Sequence, residues 1–86
     1  MPEVSRFYGI VIQMYFREHN PPHFHARYSG SKASINIESL ALEEGTLPPR
    51  ALSLVNEWAA LHQAELLDNW KRARSGRALA AIEPLT

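Results

Sequence analysis

The stretch from His23 to Glu38 leaves this chain little freedom in how it folds. Two runs of alternating apolar and polar residues, His23–Tyr28 and Lys32–Glu38, meet at Ser29-Gly30. A two-residue loop there pairs Tyr28 with Ser31. The remaining pairs follow: Arg27 with Lys32, Ala26 with Ala33, His25 with Ser34, Phe24 with Ile35 and His23 with Asn36. Successive side chains on a strand point to opposite faces. This register therefore gathers Phe24, Ala26, Ala33, Ile35 and Ile37 on one face. His23, His25, Arg27, Lys32, Ser34, Asn36 and Glu38 gather on the other. A slip of one residue mixes apolar with polar partners in every pair. The pattern thus predicts a hairpin with one core face and one polar face. Arg27 opposite Lys32 sets like charges together, a mild cost that an anionic partner would relieve.

A first strand is expected from Phe7 to Phe16, where β-branched and aromatic residues dominate. Its even positions, Tyr8, Ile10, Ile12, Met14 and Phe16, form an apolar face, with Gly9 marking a bulge or a close approach. Aligned with the hairpin, it adds Gln13, Tyr15 and Arg17 to the polar side. The second half reads as helix, starting at Thr46-Leu47-Pro48-Pro49. Leu54, Val55, Trp58 and Leu61 follow helical spacing; Glu65 or Leu66, Leu67 and Trp70 continue it towards Ala73, and Ser75-Gly76 ends it. His62-Gln63-Ala64-Glu65 resembles the start of a second helix, yet no glycine or proline enforces a break. A helical hairpin and one bent helix both fit. Trp58 and Trp70 read as core residues. Leu79–Glu83 reads as a short C-terminal strand. The expected architecture is a single α+β domain over residues 1–86. It has a three-stranded antiparallel sheet, the helical hairpin or bent helix on one face, and the short C-terminal strand. The polar face stays open.

Composition narrows the function classes. A chain of 86 residues buries a limited core. Absence of cysteine excludes disulfides, thiolate metal sites and a cysteine nucleophile. It also fits a reducing cytoplasm. The N-terminal residues lack the basic and apolar regions of a secretion signal, and no run nears the roughly 20 apolar residues that span a bilayer. A cytoplasmic protein without membrane contact is expected. Nine basic and nine acidic residues balance. Dedicated nucleic-acid binders are usually basic, so any such contact must come from a local patch. A small, neutral chain with aromatics to bury also suits a protein partner or a homodimer.

Three of the four histidines lie in His19-Asn20-Pro21-Pro22-His23-Phe24-His25. Imidazole serves as acid, base or metal ligand near neutral pH, and two prolines restrict the backbone that presents it. His23 and His25 fall on the polar strand face, whereas His19 belongs to the turn.

Further elements accompany this run: Pro2-Glu3-Val4-Ser5-Arg6-Phe7-Tyr8-Gly9-Ile10, Met14-Tyr15, Tyr28, Leu47-Pro48 and Arg50-Ala51-Leu52. Val55, Glu57-Trp58, Leu61-His62, Glu65-Leu66, Asn69-Trp70 and Ile82-Glu83-Pro84-Leu85 complete the set. With these, nearly the whole chain resembles the small bacterial proteins grouped as domain of unknown function 4160. The resemblance implies a neighbouring second small gene in an arrangement like a toxin–antitoxin pair, and hence a protein partner. It assigns no catalytic residues.

Three chemistries suit the polar face. In the first, the protein acts on or binds RNA. His23, His25 and Arg27 would supply base, acid and a cation for the transition state. Tyr15 would stack on a base or position a phosphate, and Lys32 with Lys71, Arg72, Arg74 and Arg77 would hold phosphates. The bland reading of the last four is a solvated helix end, where cations favour the dipole. In the second, His23 and His25, completed by His19 or Glu38, hold a divalent metal ion. In the third, the run shapes a turn and the domain is a non-enzymatic interaction module that neutralises its partner.

Overall fold

The hairpin centred on Ser29-Gly30 forms in the expected register, pair for pair. The computed structural model describes residues 2–86. Its sheet contains β1 (Glu3–Phe7), β2 (Ile10–Gln13), β3 (His23–Tyr28), β4 (Ser31–Asn36) and β5 (Leu42–Gly45). The strands are antiparallel neighbours in the order β1-β2-β3-β4-β5. Two helices follow, α1 (Pro49–Leu61) and α2 (Gln63–Arg74). Phe24, Ala26, Ala33, Ile35 and Ile37 are all buried, as are Ile10, Ile12 and Met14. Trp58 of α1 packs on this face, 5.3 Å from the ring of Phe7 and 6.0 Å from that of Phe24.

The sheet has five strands rather than the expected three, for two physical reasons. First, Tyr8 and Gly9 take φ of 48° and 80° and make a two-residue turn that pairs Phe7 with Ile10. Positive φ at both central positions matches the twist of a tight hairpin. The run expected as one strand from Phe7 to Phe16 is therefore a strand only over Ile10–Gln13, and the turn returns the chain along Glu3–Phe7, which the alternation did not mark as a strand. Phe7 turns into the core and Tyr8 is 59% exposed. Phe16, expected on the apolar face, lies beyond β2 and is exposed as well. Second, β5 pairs with β4 although all four of its residues are exposed. A strand that buries no side chain leaves no hydrophobic pattern. β4 ends at Asn36, two residues earlier than expected, because the Asn36 side chain accepts bonds from the amides of Glu38 and Ser39 and turns the chain.

The helical half is a hairpin of two helices. Its break lies at His62, whose amide bonds back to the Ala59 carbonyl. Gln63 then donates to the carbonyls of Ile37 and Glu38, tying the start of α2 to the end of β4. Leu61, assigned to the apolar stripe, is 68% exposed at this corner. Leu79–Glu83 is no strand; it forms a strap bonded to β1 through the Ile82 amide and the Val4 carbonyl. Side chains secure it. Buried Asn69 exchanges two 2.8 Å hydrogen bonds with the Ala80 backbone, and the Trp58 indole donates to the Glu83 carbonyl. Among the described residues, no helix is long and apolar enough to cross a membrane.

Candidate functional site

Phe24 turns inward between His23 and His25, so both imidazoles project from the opposite face of β3. A single cross-strand row on that face runs through all five strands: Glu3, Gln13, His25, Ser34 and Glu44. The β2–β3 connection, with a cis Asn20-Pro21 bond and Arg17 at φ 61°, folds back over β3. The Arg17 amide donates to the Ala73 carbonyl at the end of α2, which anchors the loop.

This loop delivers Glu18 to both histidines. One carboxylate oxygen of Glu18 lies 2.7 Å from His25 Nε2 and 3.2 Å from His23 Nε2. His23 Nδ1 donates to the Pro21 carbonyl at 2.8 Å, since a carbonyl can only accept. His25 Nδ1 sits 3.2 Å from the Ser34 hydroxyl. Each imidazole is thus held through Nδ1 and presents Nε2 to the same carboxylate. The imidazole rings are 5.1 Å apart, with Tyr15 edge-on to His25 at 4.3 Å and Trp70 5.2 Å from His23. Side-chain exposures of 13% for His23, 19% for His25 and 28% for Glu18 leave the cluster reachable from solvent. Beside it, Tyr15, His25, Arg27, Lys32, Ser34 and Glu44 line an open groove of about 390 Å³.

The structure therefore unites Tyr15, His25, Arg27 and Lys32, with His23 one step along the strand. It separates the rest. His19 is exposed in the loop, and Glu38 is exposed beyond the end of β4. Neither belongs to the cluster formed by Glu18, His23 and His25. Lys71, Arg72 and Arg74 occupy the last turn of α2, where the negative end of the helix dipole favours cations. Arg72 pairs with Asp68, and Arg77 is exposed past the helix end. Arg74 lies over the Trp70 ring, 5.9 Å from its centroid, and so reaches the rim of the cluster. Sequence reasoning missed Glu18. Its place depends on the path of a loop, which no periodicity reports.

The family described as a domain of unknown function (DUF4160) matches residues 9–71. The chain belongs to that family. The matched span includes the groove, Glu18 and both histidines, and omits β1 and the strap. No curated protein and no solved structure matches the chain.

Proposed function

We propose that this member of the domain of unknown function 4160 family binds RNA on the polar face of its sheet. In this reading it is a cytoplasmic component of a toxin–antitoxin-type gene pair. The observation that carries the RNA reading is the convergence of Arg27, Lys32, Tyr15 and His25 on one groove. Two cations opposite each other on β3 and β4 repel until a phosphate lies between them. Tyr15 offers a face on which a base stacks. The local patch supplies what a net charge of zero does not. Any chemistry on a bound phosphodiester would take place at the Glu18–His23–His25 end of the groove.

Fluorescence anisotropy with a labelled single-stranded RNA tests this. An Arg27→Ala/Lys32→Ala double variant is expected to bind about 10-fold more weakly. Its plot of log affinity against log salt should be shallower by about 1.4, two lost phosphate contacts at roughly 0.7 each. A Lys71→Ala/Arg77→Ala variant, altered away from the groove, should change affinity less. Absence of RNA binding by the wild type, or an unaltered double variant, overturns the reading.

A second surface favours a protein partner. Exposed Tyr8, with Tyr28, Leu54 and Leu85, lines a separate depression of about 340 Å³ bordered by Arg50 and Glu57. Tyr8→Gly deletes the ring at a position whose φ suits glycine. It is expected to abolish co-purification with the product of the adjacent gene while the melting temperature holds or rises. Retained co-purification would remove Tyr8 from that interface.

A further inference from the structure

One contact of the Glu18–His23–His25 cluster is left unsatisfied by hydrogen bonding, that between His23 and the carboxylate. His23 Nδ1 carries the proton shared with the Pro21 carbonyl, so a neutral ring bears its lone pair on Nε2. That lone pair faces a carboxylate oxygen at 3.2 Å. His25 Nε2 faces the same oxygen at 2.7 Å, and its Nδ1 is engaged by Ser34. With the Ser34 hydroxyl donating to Nδ1, His25 Nε2–H satisfies one lone pair of the carboxylate. The His23 lone pair and the same oxygen, by contrast, are two acceptors face to face, an arrangement that a cation between them relieves. Gln13, directly across from His25 on β2, adds a buried side chain whose carboxamide oxygen has no hydrogen-bond partner among the described residues. It is 8% exposed. The surroundings of His25 thus hold more acceptor capacity than the protein satisfies.

The geometry points to a divalent transition-metal site built from Glu18, His23 and His25. The three ligand atoms lie within 4.8 Å of one another. Metal–ligand bonds of about 2.0–2.1 Å at tetrahedral angles separate ligand atoms by about 3.3 Å. The Glu18–His23 distance of 3.2 Å already suits this. The 2.7 Å Glu18–His25 contact opens by rotation of a loop side chain that is only partly buried. Two imidazoles and one carboxylate, without thiolate, select zinc or a neighbouring first-row ion over calcium or magnesium. The Pro21 carbonyl and Ser34 hydroxyl are the outer partners that fix the rings of metal-binding histidines. No fourth carboxylate, histidine or cysteine joins the cluster among the described residues, so a bound ion keeps positions for water or an anion. The proline pair and the loop fold-back are then the means by which one carboxylate is brought to a His-x-His strand.

The inference stands apart from RNA binding, and its experiment contains no RNA. The full chain, stripped with chelator, is titrated with Zn²⁺ by calorimetry and with Co²⁺ by visible absorption. One ion per chain is expected, with the intense bands of low-coordinate cobalt. Glu18→Gln and His25→Ala should each weaken binding more than about 100-fold, and Ser34→Ala about 10-fold, as an outer partner does. His62→Ala, which removes the one histidine outside the run, should bind like the wild type. Glu18 lies in a loop, so Glu18→Gln keeps the fold, checked by circular dichroism. Failure to bind either ion at about 100 µM overturns the site. Binding that survives both Glu18→Gln and His25→Ala, or that vanishes in His62→Ala, overturns it equally.

Discussion

Replacing Trp58 by alanine is expected to remove about 4–6 kcal/mol, a third or more of the stability of the domain. Trp58 has no exposed surface and touches Phe7, Phe24 and His62, with ring centroids at 5.3, 6.0 and 5.5 Å. Truncating a buried tryptophan costs about 3–5 kcal/mol through lost transfer energy and the cavity left behind. The indole also donates to the Glu83 carbonyl at 2.8 Å, and losing that donor adds about 1 kcal/mol. A domain of this length has roughly 4–13 kcal/mol in total. The residue joins sheet, helix and strap, so no single layer can relax around its absence. Urea unfolding followed by circular dichroism reads the effect. A loss below about 1.5 kcal/mol would show that the three layers do not depend on this contact.

Gly45→Ala is expected to be the most damaging change on the exposed surface. Gly45 has φ of 73°, and an added Cβ would stand 2.2 Å from the Lys32 carbonyl oxygen and 3.1 Å from the Ala33 Cα. Both are backbone atoms of the neighbouring strand, so no side chain can swing aside. β5 must draw away from β4, and the bond from the Thr46 amide to the Lys32 carbonyl is lost with it. Backbone strain alone costs about 1–3 kcal/mol, and the displaced pairing adds to it, so a loss above about 2 kcal/mol is expected. Gly30→Ala provides the contrast. Its Cβ meets nothing within 4 Å, and the change should stay within about 0.5 kcal/mol. Equal melting temperatures for the two variants would contradict the argument. Because Gly45 and Glu44 border the groove, Gly45→Ala should also weaken RNA binding.

The contrast between legible and hidden parts of the fold has a physical basis. The β3–β4 hairpin could be read because both strands alternate and the loop has two residues, so burial and turn geometry select the same register. The Tyr8-Gly9 turn escaped because tyrosine rarely takes positive φ and because Tyr8 continues the apolar alternation. β5 escaped because edge pairing uses backbone groups, which composition does not encode. The helix break at His62 depends on Gln63 reaching carbonyls 25 and 26 residues away in sequence. The same division holds at the site. His23, His25, Arg27 and Lys32 were placed by strand alternation, whereas Glu18 was placed by a loop. The metal set expected from the sequence, His23 and His25 with His19 or Glu38, therefore lacks Glu18, the carboxylate that the loop supplies.

The strand order has a further consequence. β3 is the middle strand of five, and its residues His25 to Tyr28 are paired both with β2 and with β4, so that stretch opens only when the sheet does. His25 inherits that slow timescale, whereas His23 is paired with β4 alone. Glu18 rides on a connection held to α2 by the Arg17–Ala73 backbone bond and to the chain after β4 by the bond from the Ile37 amide to the Pro22 carbonyl. His25 is therefore the fixed point of the cluster, and the Glu18 carboxylate, carried between two backbone anchors, is the member whose position can change without parting a strand.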